Sequence, residues 1–155
     1  MTPRLSLDDL RVDDAEAMVE VLAAPAIYRF TGGAPPSLPE LRARYEAQVA
    51  GSGRLDEEWR NWIVRIDGVP VGFVQATVTR ARASLGWVIG AAWQGQGHAS
   101  AAVSAMIRIL VSEGVGGFDA WIAPGHAASE RVATRAGLVA TTDVDEDGEI
   151  RWASG

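Results

Sequence analysis

The stretch WQGQGHAS, residues 93–100, places two glycines two residues apart in front of an alanine-rich run with helical periodicity. A loop of this composition that opens a helix presents successive backbone N–H groups to one concave side. The positive end of the helix dipole points to the same place. The stretch therefore predicts an anion-binding junction between a strand and a helix in the middle of the chain.

The residues before this loop predict three consecutive strands. WRNWIVRID alternates, with Trp62, Val64 and Ile66 on one face, and Asp67-Gly68 is a strong hairpin turn. VPVGFVQATV then supplies the partner strand, and SLGWVIG the third. Three adjacent strands with such short connections predict an antiparallel meander.

The residues after the loop change to a helical period. The segment Gly97–Glu113 predicts a helix, the segment Phe118–Ala123 a short strand, and PGHAASERVATRAG another helix that stops at Gly137. A strand–helix–strand order predicts a parallel crossover. The last residues predict a closing hairpin around Asp147 and Gly148.

The N-terminal third predicts one short strand and two helices. The strand spans Arg4–Leu7, and Asp13 is the expected N-cap of a first helix that ends near Pro25. Ser37 and Glu40 form a capping-box pattern, followed by a predicted inner face of Leu41, Tyr45 and Val49. The whole pattern predicts an α+β (mixed α/β) fold in one domain over residues 1–155.

Composition excludes several classes of protein. The chain has 155 residues, 48% of them hydrophobic, with no cysteine and a net charge of −6. The absence of cysteine excludes disulfides and thiolate metal sites, and the acidic balance disfavours nucleic acid as a partner. Neither a membrane-spanning run nor a secretory signal is visible, so we expect a cytoplasmic protein without a membrane partner.

Two common nucleotide loops fit the sequence poorly. A Walker loop needs a lysine on the phosphates, and all 14 basic residues here are arginine. GQGHAS, with Asp119 some twenty residues on, imitates a dinucleotide fingerprint. That fingerprint should follow its strand at once, whereas here GAAW intervenes after Ile89.

The loop instead resembles the coenzyme A pyrophosphate loop of the GNAT acetyltransferases. Gln94, Gly97 and Ala99 match the family's Q/R-x-x-G-x-G/A pattern. The resemblance extends over nearly the whole chain, and three stretches are most similar to the RimJ/RimL-like branch of ribosomal-protein N-terminal acetyltransferases. These are RLSLDDLRVDDAEAMVEVLAAPAIYRFTGG, SLGWVIGAAWQGQGHASAA and PGHAASERVATRAGL.

The resemblance implies a GNAT-like central, mostly antiparallel, splayed sheet flanked by helices. It implies acetyl-CoA as co-substrate, no metal, and a primary amine as acceptor, either a protein N-terminus or a small molecule. It implies that the pantetheine arm lies against the backbone of one strand and that the pyrophosphate lies on the loop. The implied coenzyme-binding residues are Trp87, Val88, Ile89, Gln94, Gly95, Gln96, Gly97, His98, Ala99, Ser100, His126 and Ser129.

The catalytic residues are less well defined by the resemblance. Many members carry a tyrosine acid four residues before the glycine of the last helix, where this chain has Ala133. Ser129 therefore becomes the candidate acid, although a serine in the first turn also commonly bonds to the backbone. The branch often has glutamates at the positions of Ser84 and Ala101, so the general base stays unassigned. By rough location its candidates are Glu57, Glu58 and Asp119.

Several side chains keep two interpretations at this stage. His126 stands where the family has an asparagine and is either a coenzyme or substrate contact or a helix cap. Trp87, apart from its backbone role, is expected in the core, as is Trp62. Residues 28–30 either shape an acceptor pocket or pack on the surface. Because the usual acid and base are missing, a weak or inactive coenzyme-binding module is the alternative to an enzyme. A homodimer is the default oligomer.

Overall fold

The structure, a computed structural model, describes residues 3–155 and contains a seven-stranded sheet with four α-helices. The elements in chain order are β1 (Leu5–Asp9), α1 (Ala15–Val21), α2 (Leu38–Ala50), β2 (Glu57–Ile66), β3 (Val69–Thr79), β4 (Arg82–Ile89), α3 (His98–Ser112), β5 (Gly117–Ile122), α4 (Ala127–Arg135), β6 (Val139–Val144) and β7 (Ile150–Ala153).

The sheet is mostly antiparallel, as predicted. Its strand order is β1-β2-β3-β4-β5-β7-β6, and only the β4–β5 pair is parallel. The meander β2–β3–β4 turns first at Asp67 and Gly68, whose φ angles of 50° and 82° suit a type I′ hairpin. Helix α3 makes the predicted crossover between the two parallel strands.

Two hydrophobic clusters cover the two faces of the sheet. One packs α3 and α4 against the sheet through residues such as Val103, Met106 and Val132. The other packs α1 and α2 through residues such as Met18 and Leu41. The sheet is thus covered on both sides.

The ends of the helices confirm one predicted cap and correct another. Ser37 and Glu40 form both hydrogen bonds of the capping box that starts α2. Asp13 does not cap α1. Instead, a 3₁₀ turn precedes that helix, and Asp14 accepts the N–H of Arg11 at 2.8 Å. The carboxylate of Asp14 thus closes the 3₁₀ turn, and α1, whose N-cap is Asp14, receives no side-chain cap bond.

One predicted core position is also wrong. Leu41 and Tyr45 of α2 are buried, whereas Val49 is 54% exposed. Val49 lies in the last turn of the helix, just before the cap at Gly51. The buried face of α2 therefore consists of Leu41 and Tyr45 and does not extend to the last turn.

Candidate functional site

Strands β4 and β5 pair at one end only and then separate. Their register joins Arg82 to Gly117, Ala83 to Phe118 and Ser84 to Asp119, and no β5 residue pairs with the segment from Leu85 onward. The rest of β4 remains paired with β3 on its other side. A gap therefore opens between two parallel strands towards their carboxyl ends, the usual place for a ligand in such sheets.

The glycine loop lies at the open end of this gap, directly after β4. A 3₁₀ turn over Ala91–Trp93 leads into Gly95 and Gly97, whose φ angles are 77° and 83°. Both are left-handed backbone positions, which glycine adopts without strain. A Cβ added at either glycine would meet nothing within 4 Å, so the space beside them is open.

The amide groups of this loop and the start of α3 are free to bind a ligand. Within the described chain, the first backbone bond of the helix is that from the Ala101 N–H to the Gly97 carbonyl, and none is made by the N–H groups from 95 to 100. No side chain caps the helix at Gly97. Uncapped amides at the N-terminus of a 15-residue helix favour an anion.

Two side chains of the loop fix it to the sheet. The Gln94 side chain donates to the Ile89 carbonyl at 2.8 Å, which ties the loop to the last residue of β4. Trp93 is half-buried and packs against both hydrophobic clusters. Gly90 allows this packing, because a Cβ there would lie 2.9 Å from Val21 and 3.1 Å from the indole of Trp93.

Three of the predicted site residues meet across the gap. The indole Nε1 of Trp87, on β4, donates to the hydroxyl of Ser129, on α4, at 3.3 Å. The same hydroxyl lies 3.4 Å from Nε2 of His126. No described backbone group bonds to the Ser129 hydroxyl. The alternative interpretation, in which this serine of the first helical turn bonds to the backbone, therefore does not match the structure.

His126 also contacts the segment between α1 and α2. Its ring stacks on Phe30 with centroids 4.3 Å apart and an interplanar angle of 8°. His126 occupies the N-cap position of α4, yet its side chain forms no cap bond. Burial lowers the pKa of His126 below its ordinary value, and the carboxylate of Glu130 opposes that shift only in part.

The carboxylates proposed as bases lie in different places. Asp119 sits at the last β4–β5 pair, with Oδ2 held by Arg151 at 2.8 Å. Its other oxygen, Oδ1, is buried without a partner in the described chain. Glu57 and Glu58 begin β2, opposite Thr79 and Val78, at the far end of the sheet from the loop.

Two contacts at the site have no sequence signature. The stack of Phe30 on His126 joins residues 96 positions apart, and the bond from Arg151 to Asp119 joins residues 32 apart. Neither pair has a spacing that secondary structure alone would bring together. The register of β5 with β7 pairs Arg151 with Trp121, which puts Arg151 diagonally across from Asp119. A sequence-based prediction of that register would have been needed to find this pair.

Neither a metal cluster nor a membrane-spanning helix is found in residues 3–155. No group of three or more histidine, aspartate or glutamate side chains there is arranged to hold a metal ion. No helix there has the length and apolar character needed to cross a bilayer.

Comparison with known proteins identifies the family. Residues 4–139 match the family described as Acetyltransferase (GNAT) domain. The chain belongs to this family. As a GNAT acetyltransferase it is an acyltransferase by family, and its splayed sheet is the fold that the sequence predicted. No protein with a curated function matches the sequence significantly.

Solved structures with the same GNAT fold share little sequence with this chain. The aminoglycoside acetyltransferase AAC(6')-Ib in complex with coenzyme A has a TM-score of 0.80 at 19% identity, covering 97% of this chain and 93% of that one. RimL, a ribosomal alpha-N-protein acetyltransferase in complex with coenzyme A, has 0.80 at 16%, covering 96% and 92%. An acetyltransferase from Thermus thermophilus has 0.77 at 17%, covering 96% and 95%.

Proposed function

We propose that this GNAT domain is an acetyl-CoA-dependent N-acetyltransferase that moves an acetyl group to a primary amine by direct attack in a ternary complex. The observation that carries the proposal is the row of free amides from Gly95 to Ser100 at the mouth of the β4–β5 gap. A phosphate-rich thiol ester is the ligand class that suits an anion site joined to a narrow cleft.

The residues present fit the pyrophosphate of coenzyme A. The loop offers backbone donors and the N-terminal dipole of α3. It contains no acidic residue to repel an anion, and its two glycines leave the backbone accessible. Binding through main-chain groups needs no lysine, which agrees with a chain that has none. Gln94, Gln96 and His98 then contribute mainly through their position in the loop.

The unpaired length of β4 fits the pantetheine arm. From Leu85 to Ile89 this strand has no β5 neighbour, so an extended amide chain can add to that edge as a partial strand. We assign the backbone of Trp87, Val88 and Ile89 to this contact. A backbone N–H at Val88 or Ile89 is then available to the oxyanion that forms when the amine attacks.

Two further contributions to the reaction are the proximity of the two substrates and the hydroxyl group of Ser129. Holding the amine and the thioester side by side supplies much of the acceleration. Ser129 is the proposed donor to the departing sulfur, since it lies across the gap from β4 and its oxygen already accepts from Trp87. His126, the remaining coenzyme contact, borders the same hydroxyl.

The acceptor is either a protein N-terminus or a small amine, and we favour the RimJ/RimL-like kind. The three stretches quoted above support that branch. AAC(6')-Ib, which in another solved structure is bound to ribostamycin and coenzyme A, has the same TM-score as RimL, so fold likeness alone does not choose between them. The net charge of −6 favours a cationic acceptor.

Acetyl transfer is tested by calorimetry with CoA and acetyl-CoA, followed by thiol release in the presence of an amine panel. Because the chain lacks cysteine, a thiol-reactive dye reports free CoA alone. The panel contains peptides with a free α-amine, the same peptides with that amine blocked, spermidine and ribostamycin. We expect CoA binding and acceptor-dependent release. Absence of CoA binding would contradict the proposal.

A second candidate is a GNAT domain that binds CoA without transferring the acetyl group. Ala133 at the usual tyrosine position, with Ser84 and Ala101 at the usual glutamate positions, favours this alternative. Tight CoA binding with no acetylation of any acceptor in the panel would support it over the enzyme.

A further inference from the structure

We propose that His126 is the general base of this acetyltransferase and that Ser129 passes the proton on to the departing thiolate. The inference rests on the proposed function and assigns the base that the sequence leaves open. It makes one histidine responsible for moving the proton from the acceptor nitrogen to the coenzyme sulfur.

The hydrogen-bond order around Ser129 permits such a transfer. An indole N–H can only donate, so the bond from Trp87 uses one lone pair of the Ser129 oxygen and leaves its hydrogen free. That hydrogen can point to Nε2 of His126, 3.4 Å away, or to a sulfur in the gap. Both contacts are long, and catalytic hydrogen bonds commonly shorten when substrates bind.

The position of the imidazole is the second argument. His126 contacts Ser129 of α4 on one side and stacks on Phe30 of the α1–α2 segment on the other. It therefore lies between the helix proposed to face the sulfur and the segment that, by family resemblance, borders the acceptor. The near-parallel stack holds the ring plane. The ring makes no cap bond to the backbone, and the partner of Nε2 in the described chain is the Ser129 hydroxyl, which can rotate away from it.

The protonation state of His126 agrees with a base. Its pKa is lowered by burial, so the ring is neutral near pH 7. The charged groups nearby are Glu130 of the same helix, which opposes the shift, and Arg29, whose guanidinium lies over the Phe30 ring at 5.4 Å from its centroid. Trp87 on β4 and Ser129 bring no charge.

The proton balance closes without another reactant. The acceptor nitrogen bonds to the carbonyl carbon, and the carbon–sulfur bond breaks. The proton lost by nitrogen goes to Nε2 of His126, which returns to its neutral form by donating through the Ser129 hydroxyl to the thiolate. A thiol has an ordinary pKa of about 8.5 and a histidine about 6.5, so the second transfer is downhill.

Asp119 is the competing carboxylate, and it serves as the comparison variant. Arg151 of β7 holds one of its oxygens, the other is buried without a partner in the described chain, and no described hydrogen bond joins Asp119 to His126 or Ser129. We therefore expect Asp119→Asn to keep the acid limb of the pH profile, whereas His126→Asn should remove it.

The kinetic test compares His126→Asn, Ser129→Ala and Asp119→Asn with the unmodified chain, using the panel acceptor with the highest kcat/KM. We expect His126→Asn to lower kcat by about 100-fold, the scale of general base catalysis, and to abolish the acid limb of kcat against pH. The profile is taken for kcat because ionisation of the free acceptor amine gives kcat/KM an acid limb of its own. The Kd of this variant for CoA should rise by no more than about threefold, because asparagine is the residue that the family has at this position and it keeps a polar contact to the coenzyme. Retention of that limb in His126→Asn, or its loss in Asp119→Asn, would overturn the assignment.

A second readout does not depend on turnover. The chain has two histidines, so ¹⁵N-imidazole spectra contain two sets of signals, and those absent from His126→Asn belong to His126. We expect these signals to move when CoA is added, and their pKa to rise in Ser129→Ala because the donor to Nε2 is lost. If the chemical shifts of His126 do not change although calorimetry shows that CoA is bound, the inference is contradicted while the proposed function stands. Failure of the unmodified chain to bind CoA would contradict both.

Discussion

At the scale of single residues, removal of the Ser129 hydroxyl tests whether the enzyme protonates its leaving group. Ser129→Ala should lower kcat by about tenfold, less than loss of the base, because water can replace a hydroxyl. Its matched control is Ser104→Ala on the exposed side of α3, whose hydroxyl has one side-chain hydrogen bond among residues 3–155, to Arg108 of the same helix. Equal kcat in both variants would show that Ser129 is not the acid.

Gly90 is a residue whose size, rather than its backbone freedom, is required. Its φ of −59° suits any residue, but a Cβ would lie 3.0 Å from the Val21 carbonyl and close to Trp93. Gly90→Ala should therefore cost about 1–3 kcal/mol of unfolding free energy through overpacking. Urea denaturation measures it against Gly116→Ala, where a Cβ meets nothing within 4 Å. A loss no larger than that of Gly116→Ala would contradict the packing argument.

At the scale of elements, helix α3 has a left-handed glycine at each end, and this provides a matched pair. Gly97 has φ 83° and Gly114 has φ 98°, and a Cβ at either meets nothing within 4 Å. Alanine at either position should cost about 1–2 kcal/mol of stability through the left-handed strain alone.

Only the N-terminal substitution should affect the coenzyme. Gly97→Ala shifts the amides that we assign to the pyrophosphate, and a lost hydrogen bond to a charged group costs roughly 1.5 kcal/mol or more. Calorimetry should thus give about tenfold weaker CoA binding for Gly97→Ala and no change for Gly114→Ala. Equal CoA affinity in the two variants would place the pyrophosphate elsewhere.

The elements also show what sequence can predict. The Ser37–Glu40 box and the Asp67-Gly68 turn are local hydrogen-bond and dihedral preferences, so their sequences were sufficient. The cap at Asp13 was wrong because an inserted 3₁₀ turn has nearly the same local pattern as the start of the helix. Side-chain contacts between distant elements, such as Trp87 with Ser129, depend on how far two strands separate, and no local rule gives that distance.

At the scale of the whole molecule, the family resemblance was enough to predict the strand topology and the gap between two strands. The proposed acid and base depend instead on which side chains of this chain border that gap. Local motifs repeat across a superfamily because the shared coenzyme demands them. The stack of His126 on Phe30 forms where the α1–α2 segment reaches α4, and we propose that the acceptor binds there. Sequence therefore gives a residue-by-residue prediction for the proposed coenzyme half of the site and a much less specific one for the proposed acceptor half.

The surface carboxylates give the molecule a defined response to acid. In each of four exposed carboxyls a hydrogen bond lowers the pKa: Glu16 with Arg42, Glu40 with the Ser37 N–H, Asp56 with Arg54, and Glu113 with Arg60. A depressed folded pKa means that the unfolded chain binds more protons. The stability from these groups is present above the unfolded pKa of about 4 and is lost as pH falls through the folded pKa.

Glu149 behaves in the opposite way. Burial, followed by the charges of Asp145 and Asp147, raises its pKa. Its contribution is fully present below the unfolded pKa of about 4.3 and is lost as pH rises through the folded pKa.

Because four groups act in one direction and one in the other, the urea midpoint should fall when the protein is taken from pH 6 to pH 3. Glu149→Gln should raise the midpoint at pH 7 and leave it unchanged at pH 3. Added salt should reduce the part of this effect that comes from the three arginine pairs, since these are exposed and screened. A midpoint that rises on acidification, or a Glu149→Gln gain that persists at pH 3, would show that other groups control the acid stability.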